Sequence, residues 1–201
     1  MSSKRNSLQE TKYLVGMAIF SAIVVVLQAL ATALGRLGLT PPSLVLVPIV
    51  IGAAAYGLKS GAWLGLVFGI VVLAAGISGI DVFTAGMWNY NPFATAAICL
   101  VKGIAAGWAA GFVYRSLQRV NQIVAAVAAA VVCPVVNTGL FLLGATVFFR
   151  SYLQSTYSVQ ASGFVTFLFI GLVGINFIIE MLINLVLSPV IVRVLKIRKI
   201  V

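Results

Sequence analysis

The sequence predicts an all-α integral membrane protein, built as a bundle of six transmembrane helices. Hydrophobic residues make up 62% of the 201 residues and charged residues 8%, whereas a soluble domain is about 25% charged. The apolar residues form continuous runs instead of the alternating pattern of barrel strands. Nearly all Lys and Arg residues lie at or beyond the ends of these runs. This composition excludes an ordinary soluble enzyme and a disordered chain.

Six apolar runs define the predicted spans within a single domain, residues 1–201. A helix needs about 20 apolar residues to cross the bilayer, so the second run is short and the sixth is long enough to tilt or protrude. Residues 1–12 are polar, and we predict that they form a cytoplasmic tail before an uncleaved first helix. The spans are residues 13–34, 42–58, 61–79, 92–114, 123–149 and 164–194.

The distribution of positive charge predicts the orientation in the membrane. With six spans both termini lie on one side, and placing them in the cytoplasm leaves only Arg36 and Arg150 on the outer side. This asymmetry follows the positive-inside rule and explains the net charge of +10. The basic clusters lack the interleaved aromatic residues that stack on bases, so we expect no nucleic-acid partner. The cytoplasmic cations would be Lys4, Arg5, Lys12, Lys59, Arg115, Arg119, Arg193, Lys196, Arg198 and Lys199.

Small residues recur every four positions in three of the spans. Such spacing lets helix backbones approach closely in lipid. We expect the two glycine series to pack inside the bundle, whereas the alanines of the terminal first helix could also dock a second membrane protein. The series are Gly61, Gly65 and Gly69 in the third span, Gly103, Gly107 and Gly111 in the fourth, and the pairs Ala18–Ala22 and Ala29–Ala33 in the first.

The residue types that usually carry catalysis or bind metals are scarce. The chain has no His, which removes the commonest general base and metal ligand. Cys99 and Cys133 lie in apolar runs, where a thiol is typically inert and buried. We therefore expect no metal, no cofactor and no catalytic residue. The glycine pair before Lys59 lacks the P-loop pattern, so an ATPase would have to be another subunit.

Polar side chains inside the spans point to a binding site. Lys102 lies about 15 Å below the outer end of its helix, where a lysine is costly and should face a cavity or a partner. Asn137 lies at a similar depth, and Thr95 shares a helix face with Lys102. The structural alternatives are an ion pair between Lys102 and Glu180, and an interhelical hydrogen bond from Asn137. Further interhelical bonds could come from the polar stripe Asn176, Glu180 and Asn184.

Two outer connections, residues 80–91 and 150–163, mix aromatic and amide side chains. An aromatic belt at the membrane surface would explain this composition. The functional interpretation is a cover over an outward-facing pocket, in which apolar walls carry a few polar groups. The predicted substrate-binding residues are Trp88, Asn89, Tyr90, Asn91, Thr95, Lys102 and Asn137.

Nearly the whole chain resembles an S component, the vitamin-capture subunit, of an energy-coupling factor transporter. The resemblance rests on the six spans with basic cytoplasmic ends and on three stretches, residues 17–22, 100–103 and 134–138. It implies a bacterial cell-membrane protein that binds a water-soluble vitamin near the outer side. It also implies a transmembrane coupling subunit and two ATPase subunits as partners, with Ala18 and Ala22 on the docking face. In this family the pocket is usually built from the last three helices and the outer connections.

The identity of the vitamin and two other classes of protein stay open. Lys102 offers a cation for a carboxylate, and pantothenate, folate, biotin and niacin are acids or their relatives. The pattern most resembles the pantothenate members, although riboflavin and folate members share much of it. A membrane-embedded enzyme such as a lipid-modifying transferase would need paired carboxylates, and the chain has three acids. A scaffold subunit would not need an intramembrane lysine.

Overall fold

The computed structural model describes residues 2–36, 44–158, 160 and 163–200. Within these ranges the regular structure is helical, and no strand occurs among the described residues. The helices are α1 (Ser2–Arg36), α2 (Leu46–Tyr56), α3 (Leu58–Ile77), α4 (Val82–Tyr90), α5 (Pro92–Leu117), α6 (Gln122–Phe148), α7 (Arg150–Thr156), α8 (Phe164–Thr166) and α9 (Gly174–Ile200), with the π-helical segment Phe167–Val173 between the last two.

Four of the described helices are long and apolar enough to cross a membrane. They correspond to α1, α3, α5 and α6, which confirms the prediction of an all-α membrane protein. The second predicted span forms α2, whose 11 residues reach about 16 Å, about half of the hydrocarbon thickness. The sixth is divided by the π-helical segment, and its apolar stretch Phe177–Val190 is also shorter than a full span.

Three polar side chains fix where helices begin. Asp81 accepts hydrogen bonds from the backbone N–H groups of Phe83 and Thr84, and thereby caps α4. Asn91 caps α5 directly before Pro92, and Asn121 caps α6. Asp and Asn are favoured at this position because their side chains satisfy otherwise unpaired helix N–H groups. Both outer connections, expected as loops, contain a short helix: α4 begins at the Asp81 cap, whereas α7 begins after Phe149 without a side-chain cap.

The centre of the bundle is the contact between α3 and α5. A Cβ added to Gly65 would meet the carbonyl oxygen of Gly103, and one added to Gly103 would meet the carbonyl oxygen of Gly65. Gly61 and Gly107 face each other in the same way, while Gly69 lies against the backbone of Cys99. The prediction that the two glycine series pack internally is therefore confirmed.

Helix α1 lies at the edge of the bundle. Only 17% of its apolar window is buried, against 50% of that of α3. Met17 and Val24 face the core, whereas Ala18 and Ala22 are exposed. The polar residues 2–12, predicted as a tail, continue α1 as helix.

The two ends of the bundle differ in composition. One end, which we call the α4 end, holds α4, α7 and the last turn of α1, and Tyr90 packs there against Phe149 and Tyr152 with ring centroids 5.9 and 5.1 Å apart. The opposite end, the Lys59 end, carries exposed cations at the start of α3 and at or just after the end of α5, namely Lys59, Arg115 and Arg119. The α4 end thus holds a cluster of packed aromatic rings, and the Lys59 end holds a cluster of exposed cations.

Candidate functional site

Lys102 is held between three helices inside the bundle. Its side chain leaves α5 half-buried, and its Nζ lies 5.8 Å from the ring centroid of Phe68 on α3 and 5.2 Å from that of Phe141 on α6. Both distances are short enough for cation–π attraction, which offsets part of the free energy that an ammonium group loses when it leaves water. Because neighbouring Gly103 lets α3 approach closely, the aromatic ring of Phe68 can reach the lysine.

The expected alternative, an ion pair between Lys102 and Glu180, does not form. Both residues belong to the described part of the chain, and their charges attract each other only at longer range. The ammonium therefore keeps the capacity to form a charge-assisted hydrogen bond with an anion, the stronger class of hydrogen bond.

Asn137 carries an unused hydrogen-bond acceptor on the same helix as Phe141, whose ring contacts the Lys102 ammonium. The residue is 9% exposed, and its buried Oδ1 has no hydrogen-bond partner within the described structure. A buried polar atom without a partner costs about 1–3 kcal/mol. Asn137 precedes Phe141 by four positions on α6, so the two side chains share a helix face. The interhelical hydrogen bond considered for this oxygen is absent from the described residues.

An aromatic contact links this centre to the α4 end. The ring of Phe83, in the first turn of α4, lies 6.0 Å from the ring of Phe141, centroid to centroid. Phe141 in turn contacts the ammonium of Lys102. We call Lys102, Asn137, Phe68 and Phe141 the lysine site. The contact between Phe83 and Phe141 joins the lysine site to α4.

Among the other predicted binding residues, two form hydrogen bonds at the start of α5. The Asn91 carboxamide oxygen accepts the N–H of Ala94 at 3.1 Å, and the fully buried Thr95 hydroxyl donates to the Asn91 carbonyl at 2.9 Å. Asn89 and Tyr90 are exposed, and Trp88 is half-buried. No hydrogen bond or ring contact of these described residues reaches Lys102, so their role in binding stays a prediction.

One residue of the polar stripe on α9 forms its hydrogen bond within its own helix. Asn184 is 2% exposed, and its amide donates to the backbone carbonyl of Glu180 at 2.9 Å. The side chain of Asn176 lies outside the described part. This part of the stripe therefore does not form the interhelical bond that the spacing suggested.

Sequence reasoning missed the aromatic walls of the lysine site. Phe68 lies three positions after Gly65, and Phe141 four positions after Asn137. This helical spacing from residues already singled out was the available signal. Aromatic residues are, however, so common in membrane helices that the spacing alone did not distinguish these two.

In the described part of the chain, a cation without an ion pair lies against two aromatic rings inside a helical bundle, and such an arrangement is typical of a membrane-embedded binding protein for a small polar molecule. The family described as ECF transporter, substrate-specific component, matches residues 12–192, and the chain belongs to this family. Its members are substrate-binding subunits of transporters and not enzymes. The lipid-modifying enzyme and the scaffold subunit are thereby excluded.

The chain is also similar to a transporter whose name states its substrate. The chain is 28% identical over 192 residues to the pantothenic acid transporter PanT of Lactococcus lactis subsp. cremoris (strain MG1363), and the alignment covers 89% of this chain and 91% of that protein. No solved structure matches the chain.

Proposed function

We propose that this chain captures pantothenate from outside the cell and delivers it with a transmembrane coupling subunit and two ATPase subunits. The observation that carries the proposal is the lysine site, where, among the described residues, the Lys102 ammonium has no ion pair with Glu180 and the Asn137 oxygen has no hydrogen-bond partner. The similarity to PanT supports the choice of vitamin.

The chemistry of pantothenate complements these two groups. Its carboxylate would bind the Lys102 ammonium through a charge-assisted hydrogen bond. Its hydroxyl and amide groups supply the donor that the Asn137 oxygen lacks. Its carbon skeleton would lie against the rings of Phe68 and Phe141, which border the ammonium. Apolar walls with a few oriented polar groups are typical of small-molecule sites.

The membrane orientation is part of the proposal. The chain crosses the membrane six times, with both termini in the cytoplasm and the α4 end outside. The exposed cations Lys59, Arg115 and Arg119 support this orientation. Reporter domains fused to the C-terminus and inserted between α7 and α8 should give opposite signals, and equal signals would contradict six crossings.

The coupling subunit docks on the exposed face of α1. Ala18 and Ala22 are exposed, and small side chains one turn apart allow a partner helix to approach closely. The energy of ATP hydrolysis would reach this chain through that contact, because the sequence has no P-loop of its own.

Affinity measurements on the purified full chain test the substrate and the role of Lys102. Lys102→Met keeps most of the side-chain volume and removes the charge. The loss of a charged hydrogen bond, about 1.5–3 kcal/mol, should weaken pantothenate binding roughly ten- to a hundredfold. The amide analogue of pantothenate should bind the unmodified chain as weakly as pantothenate binds the variant. It should lose little further affinity in the variant.

Three controls make the result specific. Lys59→Met, at the other end of the bundle, should leave affinity unchanged. If the double variant Lys102→Met with Glu180→Gln regains full affinity, Lys102 is a structural partner of Glu180 and does not anchor the substrate. Binding of riboflavin or folate without pantothenate would retain the family and overturn the choice of vitamin.

A further inference from the structure

A recess opens on the side of α1 near the Lys59 end of the bundle. Its volume is about 820 Å³, and it lies between α1 and the last residue of α2. Val15 and Ile19, which form part of its wall, are exposed on the surface of the bundle, so the recess faces the surroundings of the protein. We call it the α1 recess, and its lining is Gln9, Thr11, Lys12, Tyr13, Val15, Gly16, Ile19 and Tyr56.

Contacts between three helices fix the tyrosine side of the α1 recess. The hydroxyl oxygens of Tyr13 on α1 and Ser60 on α3 are 3.0 Å apart, and Ser60 donates to the Tyr56 carbonyl at 3.4 Å. The rings of Tyr13 and Tyr56 meet edge to face, with centroids 5.5 Å apart. The phenol end of Tyr56 lies against Gly16, where an added Cβ would meet it. The recess is therefore formed by the packing of α1, α2 and α3.

The α1 recess is polar at one end and apolar at the other. Gln9, Thr11 and Lys12 supply polar groups at its N-terminal end. Val15 and Ile19 follow along the helix, and from Lys12 to Ile19 the helix rises about 10 Å. In the orientation proposed above, the polar end lies at the cytoplasmic membrane surface and the apolar end lies at the level of the acyl chains. An amphipathic molecule that lies along α1 matches this order.

The charges at the polar end favour an anion. Lys12 has an ammonium group with three N–H donors, and no carboxylate is among the described residues that line the recess. Glu10, the acidic residue of α1, is two positions from Lys12 and so lies about 160° around the helix from it. Lys59, Arg115 and Arg119 add exposed positive charge at the same end. The anionic lipids of the cytoplasmic leaflet are attracted to clusters of this kind.

We propose that the α1 recess binds an anionic phospholipid of the cytoplasmic leaflet, with its phosphate at Lys12 and an acyl chain along Val15 and Ile19. This inference rests on the proposed membrane orientation and is independent of the identity of the vitamin. The face proposed to dock the coupling subunit borders the recess. Ala18 and Ala22, however, offer a flat surface to a helix, whereas a recess is filled more readily by a flexible chain.

Native mass spectrometry of the purified full chain in nonionic detergent tests the inference. The added lipids are phosphatidylglycerol, which is anionic, and phosphatidylcholine, which has no net charge, with identical acyl chains. We expect phosphatidylglycerol to bind more tightly. Lys12→Gln should weaken its binding about fivefold and leave the binding of phosphatidylcholine unchanged. Val15→Trp should weaken the binding of phosphatidylglycerol by a similar factor, because the indole takes the place of the acyl chain.

Each variant has a matched control outside the recess. Lys59→Gln removes a cation at the same end of the bundle that does not line the recess. Leu14→Trp adds an indole to α1 at a position that is 64% exposed and also lies outside the lining. Both controls should bind phosphatidylglycerol as the unmodified chain does.

Three outcomes would overturn the inference. Equal binding of the two lipids by the unmodified chain would contradict it and favour the coupling subunit as the occupant of the recess. An equal loss in Lys12→Gln and Lys59→Gln would show a general charge effect. Displacement of phosphatidylglycerol by glycerol phosphate would show that the recess binds a phosphate without an acyl chain. Because pantothenate takes no part in the measurement, a failure of the proposed vitamin leaves this result unaffected.

Discussion

The glycines between α3 and α5 and the alanines of α1 share the same four-residue spacing but lie in opposite environments. Gly65 and Gly103 are buried against each other's backbone, whereas Ala18 and Ala22 are exposed. In lipid an exposed apolar helix face carries no hydrophobic penalty. Small residues four positions apart therefore indicate that another helix can pack closely against that face. The position of the helix in the bundle decides whether that second helix belongs to the same chain or to another protein.

The largest loss of stability is expected from a substitution in the buried glycine contact between α3 and α5. Gly65→Ala places a methyl group against the Gly103 carbonyl, and neither backbone can yield without separating α3 from α5. We expect a loss of about 2–3 kcal/mol in the free energy of unfolding, measured as a lower thermal midpoint in detergent. Gly139→Ala on α6 is the control, because an added Cβ there meets open space. Equal midpoints for the two variants would show that the α3–α5 contact is loose.

Substitutions on the exposed alanine face of α1 should impair uptake and leave stability nearly unchanged. Ala18→Trp or Ala22→Trp should abolish ATP-driven uptake by holding the coupling subunit away. The isolated chain should keep its substrate affinity, and its stability should stay within about 0.5 kcal/mol. Leu30→Trp is the matched control, since Leu30 is exposed on α1 but lies about 80–120° around the helix from the two alanines. Loss of binding together with uptake would show that this face packs internally.

A smaller loss of stability than that of Gly65→Ala is expected on the inner side of α1. A Cβ added to Gly16 would meet the phenol end of Tyr56, a side chain that can move more easily than a backbone carbonyl. Gly16→Ala should therefore cost about 1 kcal/mol, less than Gly65→Ala, and uptake should persist. The measurement is again the thermal midpoint, with Gly35→Ala as a control in open space on the same helix. A cost equal to that of Gly65→Ala would mean that α1 is packed as rigidly as α3 and α5.

The four long helices could be predicted from the sequence to within a few residues at most ends, because a spanning helix is specified by its own apolar run. The N-terminal extension of α1 was the main exception. The short helices α4 and α7 were missed, since helices of this length are marginal alone and depend on tertiary contacts. Tyr90 of α4 packs against Phe149 and Tyr152, and no local pattern in the sequence reveals that contact.

The lysine site was predictable in part. Lys102 and Asn137 stand out because polar groups in a membrane span are costly and need a reason. Whether Lys102 pairs with Glu180 depends on the relative heights of α5 and α9, which a one-dimensional pattern does not contain. The sequence also placed Asn91 and Thr95 among the binding residues; both form hydrogen bonds at the start of α5, and their role in binding stays a prediction.

The sequence by itself determined residence in the membrane, helical structure and the likeness to a vitamin-capture subunit. These properties follow from hydropathy, charge and spacing, which accumulate along the chain without reference to distant residues. Only the tertiary structure decided that the glycine series face each other, that α1 leaves its alanines exposed and that Phe68 and Phe141 border Lys102. The physical reason is that several arrangements of helices satisfy the same local rules, and close packing between backbones far apart in sequence selects among them.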